Sequence, residues 1–141
     1  MTKIETVLFT GKTHTSASGR AGRFDMTLSS PGQAGHERTL AAVEPHPTAE
    51  QLFAGAWSAC YSAALGLVAQ GKKVRLPADL VVEVEVDLGM NGDAYLLQAR
   101  FNISMPGVAR EIAEAMVHEA HQICPYSKAT RGNIDVAVNV V

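Results

Sequence analysis

Two cysteines, Cys60 and Cys124, are the residues of this 141-residue chain best equipped for chemistry. A thiolate is a nucleophile, and two thiols can close a disulfide. The chain has no CxxC, which excludes a thioredoxin-type site. The two thiols still meet if the elements that carry them pack together. Cys60 recurs at helical spacing with Phe53, Ala56, Trp57, Ala63, Ala64, Leu67 and Val68. Taken alone, a cysteine on such a face is a small hydrophobe that fills a core. Cys124 precedes Pro125, which disfavours a helical conformation at position 124. It is therefore expected at a helix end, where a thiol is accessible.

Other reactive residue types fit known patterns less well. His118, Glu119 and His121 form HExH, one residue short of the zinc-binding HExxH. Cys124 extends that run, but no fourth ligand lies nearby in sequence, so a closed zinc site is not expected. Ser58 sits in GAWSA, which does not fit the GxSxG nucleophile elbow. The glycines match no phosphate-binding loop. Glu50 falls in the first turn of a predicted helix, where a carboxylate suits the positive end of the dipole. By spacing it is an ordinary helix-start glutamate. It also stands at the mouth of an otherwise uncharged element, where it could orient an arginine.

The element that must position Cys60 is the stretch from Thr48 to Gly71, which reads as one long helix. Thr48 is a good N-cap, and Gln51 completes a capping box. Gly71 followed by Lys72 and Lys73 marks a stop. Leu52 to Ala69 carries no charge, close to the lower limit of about 18 residues for a membrane span. Gly55, Ser58, Ser62, Gly66 and many alanines instead suit a helix wrapped closely by protein.

Around this helix the pattern is that of an α+β domain. Residues 3–15 read as extended. Phe24, Met26 and Leu28 alternate with polar residues, which predicts a strand ended by Ser30-Pro31-Gly32. A loop with a short strand at Arg38–Val43 leads to the helix. Val82, Val84, Val86 and Leu88 alternate with Glu83, Glu85 and Asp87, predicting a strand with one acidic face in water. Asn91-Gly92 signals a hairpin turn into a strand at Tyr95–Met105. A second helix is predicted over Val108–Ile123, its apolar stripe formed by Val108, Ile112, Ala115, Met116, Ala120 and Ile123. A last strand spans Ile134–Val140.

The composition is that of a compact protein, 47% hydrophobic and 18% charged. Its length suits one domain over residues 1–141. A net charge of −2 and the lack of a basic run give no reason to expect nucleic acid. The N-terminus has no apolar signal-like stretch, so the cytoplasm is expected, and there two cysteines should be free, catalytic or redox-active.

Four stretches resemble a known family. EQLFAGAWSACY at 50–61 and CPYSKATRGNIDV at 124–136 closely resemble the organic hydroperoxide resistance proteins of the OsmC/Ohr family. LFTGKTHTSASGRAGR at 8–23 looks like that family's N-terminal segment, and VVEVEVDLG at 81–89 sits where its hairpin begins. The resemblance covers nearly the whole chain. It implies an OsmC/Ohr-like fold, with antiparallel sheets around a long central helix in an intertwined homodimer. It implies a peroxidase in which Cys60 is the peroxidatic and Cys124 the resolving cysteine. Arg20 matches the family's catalytic arginine and Glu50 its acidic partner. The implied substrates are alkyl and fatty-acid hydroperoxides, preferred over hydrogen peroxide. The implied reductant is a dihydrolipoyl group on a lipoylated protein, with no metal or bound cofactor.

Two departures are local. Thr48-Ala49 stands where the family commonly has Asn-Pro, though threonine keeps the capping role. Arg23 competes with Arg20, which is favoured because the glycine before it matches the family pattern. The alternatives are an OsmC-type peroxidase with broader peroxide preference, and a non-catalytic thiol sensor or binding module.

Overall fold

The computed structural model describes residues 1–17, 24–31 and 47–141. The short strand expected at 38–43 lies outside these residues, as do Arg20 and Arg23. The described elements run β1 (Thr6–Ala17), β2 (Phe24–Ser29), α1 (Ala49–Lys72), β3 (Val81–Asn91), β4 (Ala94–Ser104), α2 (Arg110–Ile123), α3 (Pro125–Thr130) and β5 (Asp135–Val140). The strands form one five-stranded sheet in the order β2-β1-β3-β4-β5. Three neighbouring pairs are antiparallel, and β5 joins β4 in parallel after α2 and α3 carry the chain back. The architecture is α+β, as expected.

Alternation in β3 and β4 produces the inner face. Val82, Val84 and Val86 stand opposite Ile103, Phe101 and Ala99, and all six are buried. The outer face is polar, but it differs from the expected row of wetted acids. Asp87 is buried under Arg100, whose Nη2 donates to Asp87 Oδ1 at 3.1 Å, while Gln98 donates to Oδ2 at 2.6 Å. The hairpin turn falls one residue later than expected. Asn91 pairs with Ala94, and Gly92 opens the two-residue turn with φ 55°.

Thr48 caps α1 as its sequence suggests. Its hydroxyl accepts from Gln51 N at 3.2 Å, and Gln51 Oε1 accepts from Thr48 N at 2.9 Å. The helix ends later than Gly71. Lys73 takes the left-handed conformation with φ 56°, and Val74 N bonds back to Ala69 O at 2.9 Å. That reverse bond, together with the packing of Val74 on the core, ends the helix without a glycine at the left-handed position.

The helix is long and apolar enough to cross a membrane, yet it is the core helix of this fold. Trp57, Tyr61, Leu65 and Val68 bury one face against the sheet and α2. The opposite face, carrying Leu52, Ala56, Ala59, Ala63 and Leu67, is exposed. In α2 the buried stripe is Ala113, Met116, Val117 and Ala120; Ile112, Ala115 and Ile123 of the expected stripe are exposed. Apolar residues at the adjacent positions 112–113 and 115–117 leave helical spacing compatible with either face. Packing selected the one that brings Val117 to α1, where Tyr61 Oη donates to its carbonyl at 2.8 Å.

Candidate thiol site

The two cysteines meet where α1 crosses the junction of α2 and α3. The Cys124 and Cys60 Sγ atoms are 3.3 Å apart, in hydrogen-bonding contact, and both thiols are free. Cys60 lies about three turns into α1, on the flank between the buried face and the exposed apolar face. Cys124 is both the last cap of α2 and the first cap of α3. Its N–H donates to Ala120 O at 2.9 Å, and its carbonyl accepts from Lys128 N at 3.0 Å. Pro125 stops α2 and then serves as the first residue of α3, a position where its missing N–H costs nothing.

Accessibility is the reverse of the expectation for these residues. Cys124 is fully buried, whereas Cys60, read by spacing as core filler, is partly exposed. The reason is α3. A helix resuming straight after Cys124 folds over that thiol and seals it.

Aromatic side chains hold the floor of the site. Phe101 of β4 receives Trp57 edge-on with ring centroids 5.0 Å apart, and Tyr61 packs on the same ring at 4.8 Å. Phe53 stacks edge-on against Trp57 at 5.5 Å. Trp57 Nε1 donates to Ser127 Oγ of α3 at 3.0 Å.

Burial pushes the Cys60 thiol up from its ordinary value. The backbone N–H of Tyr126 opposes that rise by hydrogen bonding to the sulfur, while the neighbouring Cys124 thiol adds to it. No cation contributes among the described residues. Burial also pushes the Tyr61 phenol up, so it stays a neutral donor.

Glu50 sits in the first turn of α1 and is buried. Gly11 of β1 makes room for it. A Cβ on Gly11 would lie 2.4 Å from Gln51 N and 2.8 Å from Glu50 Cβ, so only glycine permits this approach. Ten residues of helix separate Glu50 from Cys60, about 15 Å along the axis. The carboxylate therefore does not touch the sulfur. Arg20, expected between them, lies outside the described residues.

Comparison with known proteins gives this arrangement its family. The family model for OsmC-like protein matches residues 42–139. The chain is 35% identical to an organic hydroperoxide resistance protein of Xanthomonas axonopodis pv. citri, over 99% of each chain. The chain belongs to the OsmC-like family, in its organic hydroperoxide resistance branch. It is also 34% identical to organic hydroperoxide resistance protein OhrA of Bacillus subtilis, over 94% of this chain and 96% of that one. The crystal structure of OhrB from the same organism aligns with a TM-score of 0.66 at 31% identity, covering 95% of this chain and 99% of that chain.

Within this OsmC-like chain the HExH run does not converge. Glu119 pairs with Lys72 at 2.8 Å, His118 is exposed, and His121 turns inward edge-on to Phe101. Among the described residues no three His, Cys, Asp or Glu side chains are grouped to hold a metal ion. Sequence reasoning missed α3 and, with it, Ser127 and the Tyr126 N–H. The available signal was Pro125 itself, which begins helices as readily as it ends them.

Proposed function

We propose that the chain is a cysteine-based peroxidase that reduces alkyl and fatty-acid hydroperoxides to alcohols and so defends against oxidative stress. The observation that carries this reading is the 3.3 Å contact between a partly exposed Cys60 and a buried Cys124. Cys60 as thiolate attacks the O–O bond. The O–O bond breaks, the leaving alkoxide takes a proton and departs as the alcohol, and Cys60 becomes a sulfenic acid. The Cys124 thiol then displaces the hydroxyl. An S–S bond forms, the S–O bond breaks, and water leaves. A dihydrolipoyl dithiol on a lipoylated protein reduces the disulfide by exchange and is itself oxidised to its cyclic disulfide.

Arg20 has the role of holding Cys60 as thiolate and orienting the peroxide. An arginine suits it because the guanidinium is always charged and donates several hydrogen bonds. Glu50 has the role of gripping Arg20, since its distance from Cys60 leaves it acting only through an intermediary. The exposed apolar face of α1 beside Cys60 supports a substrate with a hydrocarbon tail, each buried CH₂ contributing about 0.8 kcal/mol. The same face supports a homodimer, because Leu52 and Leu67 are 55% and 64% exposed on it. No bound cofactor is required. Two free thiols fit the cytoplasm, and residues 1–141 act as one peroxidase domain.

The test is the intact mass of the protein after one equivalent of cumene hydroperoxide, with and without dihydrolipoamide. A catalyst loses two hydrogens with that one equivalent and, given excess peroxide together with the dithiol, turns over many times. A sensor stops at the disulfide. Equal rates on hydrogen peroxide and cumene hydroperoxide would point to the broader OsmC-type preference.

A further inference from the structure

The bond between Trp57 and Ser127 repeats the geometry of the thiol pair. Trp57 lies three residues before Cys60, and Ser127 three residues after Cys124. Each step is about one helical turn, so the two contacts sit side by side across the same α1–α3 junction. Both Trp57 and Ser127 are fully buried. Helix α3 has only six residues, too few to hold itself in place. Its other side-chain bonds, from Thr130 Oγ1 to the Tyr126 and Ser127 carbonyls, are internal to it. Among the described residues, the Trp57–Ser127 bond is the one side-chain hydrogen bond between α3 and α1 that does not involve the Cys60 sulfur.

We propose that Ser127 is a positioning residue, which through Trp57 Nε1 holds the start of α3 against α1 and so keeps the Cys124 sulfur and the Tyr126 N–H on Cys60. The inference rests on reading Cys60 and Cys124 as the reacting pair. The two chemical steps depend on this anchor unequally. Attack on a peroxide needs Cys60 and whatever faces it from solvent. Closure needs the Cys124 thiol in line with the S–O bond of the Cys60 sulfenic acid; the S–S bond then forms, and the thiol proton leaves with the hydroxyl as water. An added oxygen on Cys60 crowds the contact, so closure is the step that a loosened α3 slows.

The experiment follows single-turnover oxidation by cumene hydroperoxide in Ser127→Ala, Trp57→Phe, the double variant and Ser127→Thr. Dimedone trapping reports the sulfenic acid, and intact mass reports the disulfide. At a pH high enough to ionise Cys60 fully, where the Tyr126 N–H no longer sets the thiolate fraction, sulfenic acid should form at close to the parent rate in all variants. Disulfide closure should slow about tenfold or more in Ser127→Ala and in the double variant, the scale of a small misplacement at a reacting centre. Ser127→Thr keeps the hydroxyl and should restore closure. The double variant removes both partners of the bond, so it leaves no buried donor unpaired and answers the question if either single variant folds poorly. Closure at the parent rate in the double variant overturns the proposal. Diamide, which closes dithiols without peroxide, separates this from the peroxidase reading. Slower diamide closure in the double variant supports the positioning role even if the parent chain proves inert to peroxide.

Discussion

The outer face of the sheet and the thiol site handle costly groups in opposite ways. On the outer face every acid of β3 has a cation. Lys12 reaches Glu83 at 2.9 Å, His14 reaches Glu83 at 3.0 Å, and Arg100 reaches Glu85 at 2.9 Å while also holding Asp87. These charges are mutually satisfied and chemically inert. At the thiol site the described residues leave Cys60 with another thiol and a single backbone N–H, and its acidity is weakened, not strengthened. Full pairing stabilises a surface. Among the described residues Cys60 has no such charged partner, and the proposed peroxidase reading assigns that role to Arg20.

The largest effect should come from removing that group. Cys60→Ser keeps size and shape but replaces the thiolate with a hydroxyl that cannot be oxidised to a sulfenic acid. Turnover of cumene hydroperoxide in a coupled dihydrolipoamide assay should vanish, while the unfolding midpoint in urea stays near the parent's. Residual turnover above the uncatalysed rate would remove Cys60 as the nucleophile. Cys124→Ser differs in kind. Dimedone should label position 60 after one equivalent of peroxide, because the closing thiol is gone.

Breaking the outer face should do the converse. Arg100→Leu leaves Asp87 buried without its cation, a loss of about 3 kcal/mol of stability. Sulfenic acid formation at Cys60 should be unchanged. Acid titration sharpens this. Burial alone would raise the Asp87 carboxyl, but hydrogen bonds from Arg100, Thr10 and Gln98 outweigh it and hold Asp87 below its ordinary value. A depressed carboxylate adds stability above its unfolded value, near pH 4, and loses it as pH falls further through the folded value. The gap between parent and Arg100→Leu in urea midpoint should therefore close as pH drops below about 4. A gap that persists unchanged at low pH would mean that Arg100 acts through packing alone.

These two regions also differ in how much of them the sequence reveals. Strict alternation in β3 and β4 announces the hairpin, and the Thr48–Gln51 capping box announces the start of α1, because each is a local pattern with a local cause. The pairing of Asp87 with Arg100 is not local. It depends on a register that places residue 87 opposite 98 and so brings 100 within reach. The meeting of Cys60 and Cys124 is likewise a product of packing. Periodicity alone reads Cys60 as filler, and only the motif resemblance distinguishes it. The accessibility of Cys124 is misjudged because the six residues starting at Pro125 form a helix too short to leave a periodic signal.

Arg20 is the residue that tests this contrast. If the thiol site follows the same rule as the outer face, a guanidinium faces the Cys60 sulfur and offsets the effect of burial. Arg20→Ala should then move the midpoint of Cys60 thiolate formation, followed by absorbance at 240 nm or by the pH dependence of alkylation, to higher pH. Peroxide consumption at neutral pH should fall with the thiolate fraction and recover as pH rises, which separates lost ionisation from lost folding. Glu50→Gln should produce a smaller shift in the same direction, since it only loosens the arginine. An unchanged midpoint in Arg20→Ala with a shift in Arg23→Ala would transfer the role to Arg23. No shift in either would mean that the Tyr126 N–H is the thiolate's chief support, and that the site works by a backbone donor where the outer face works by charge.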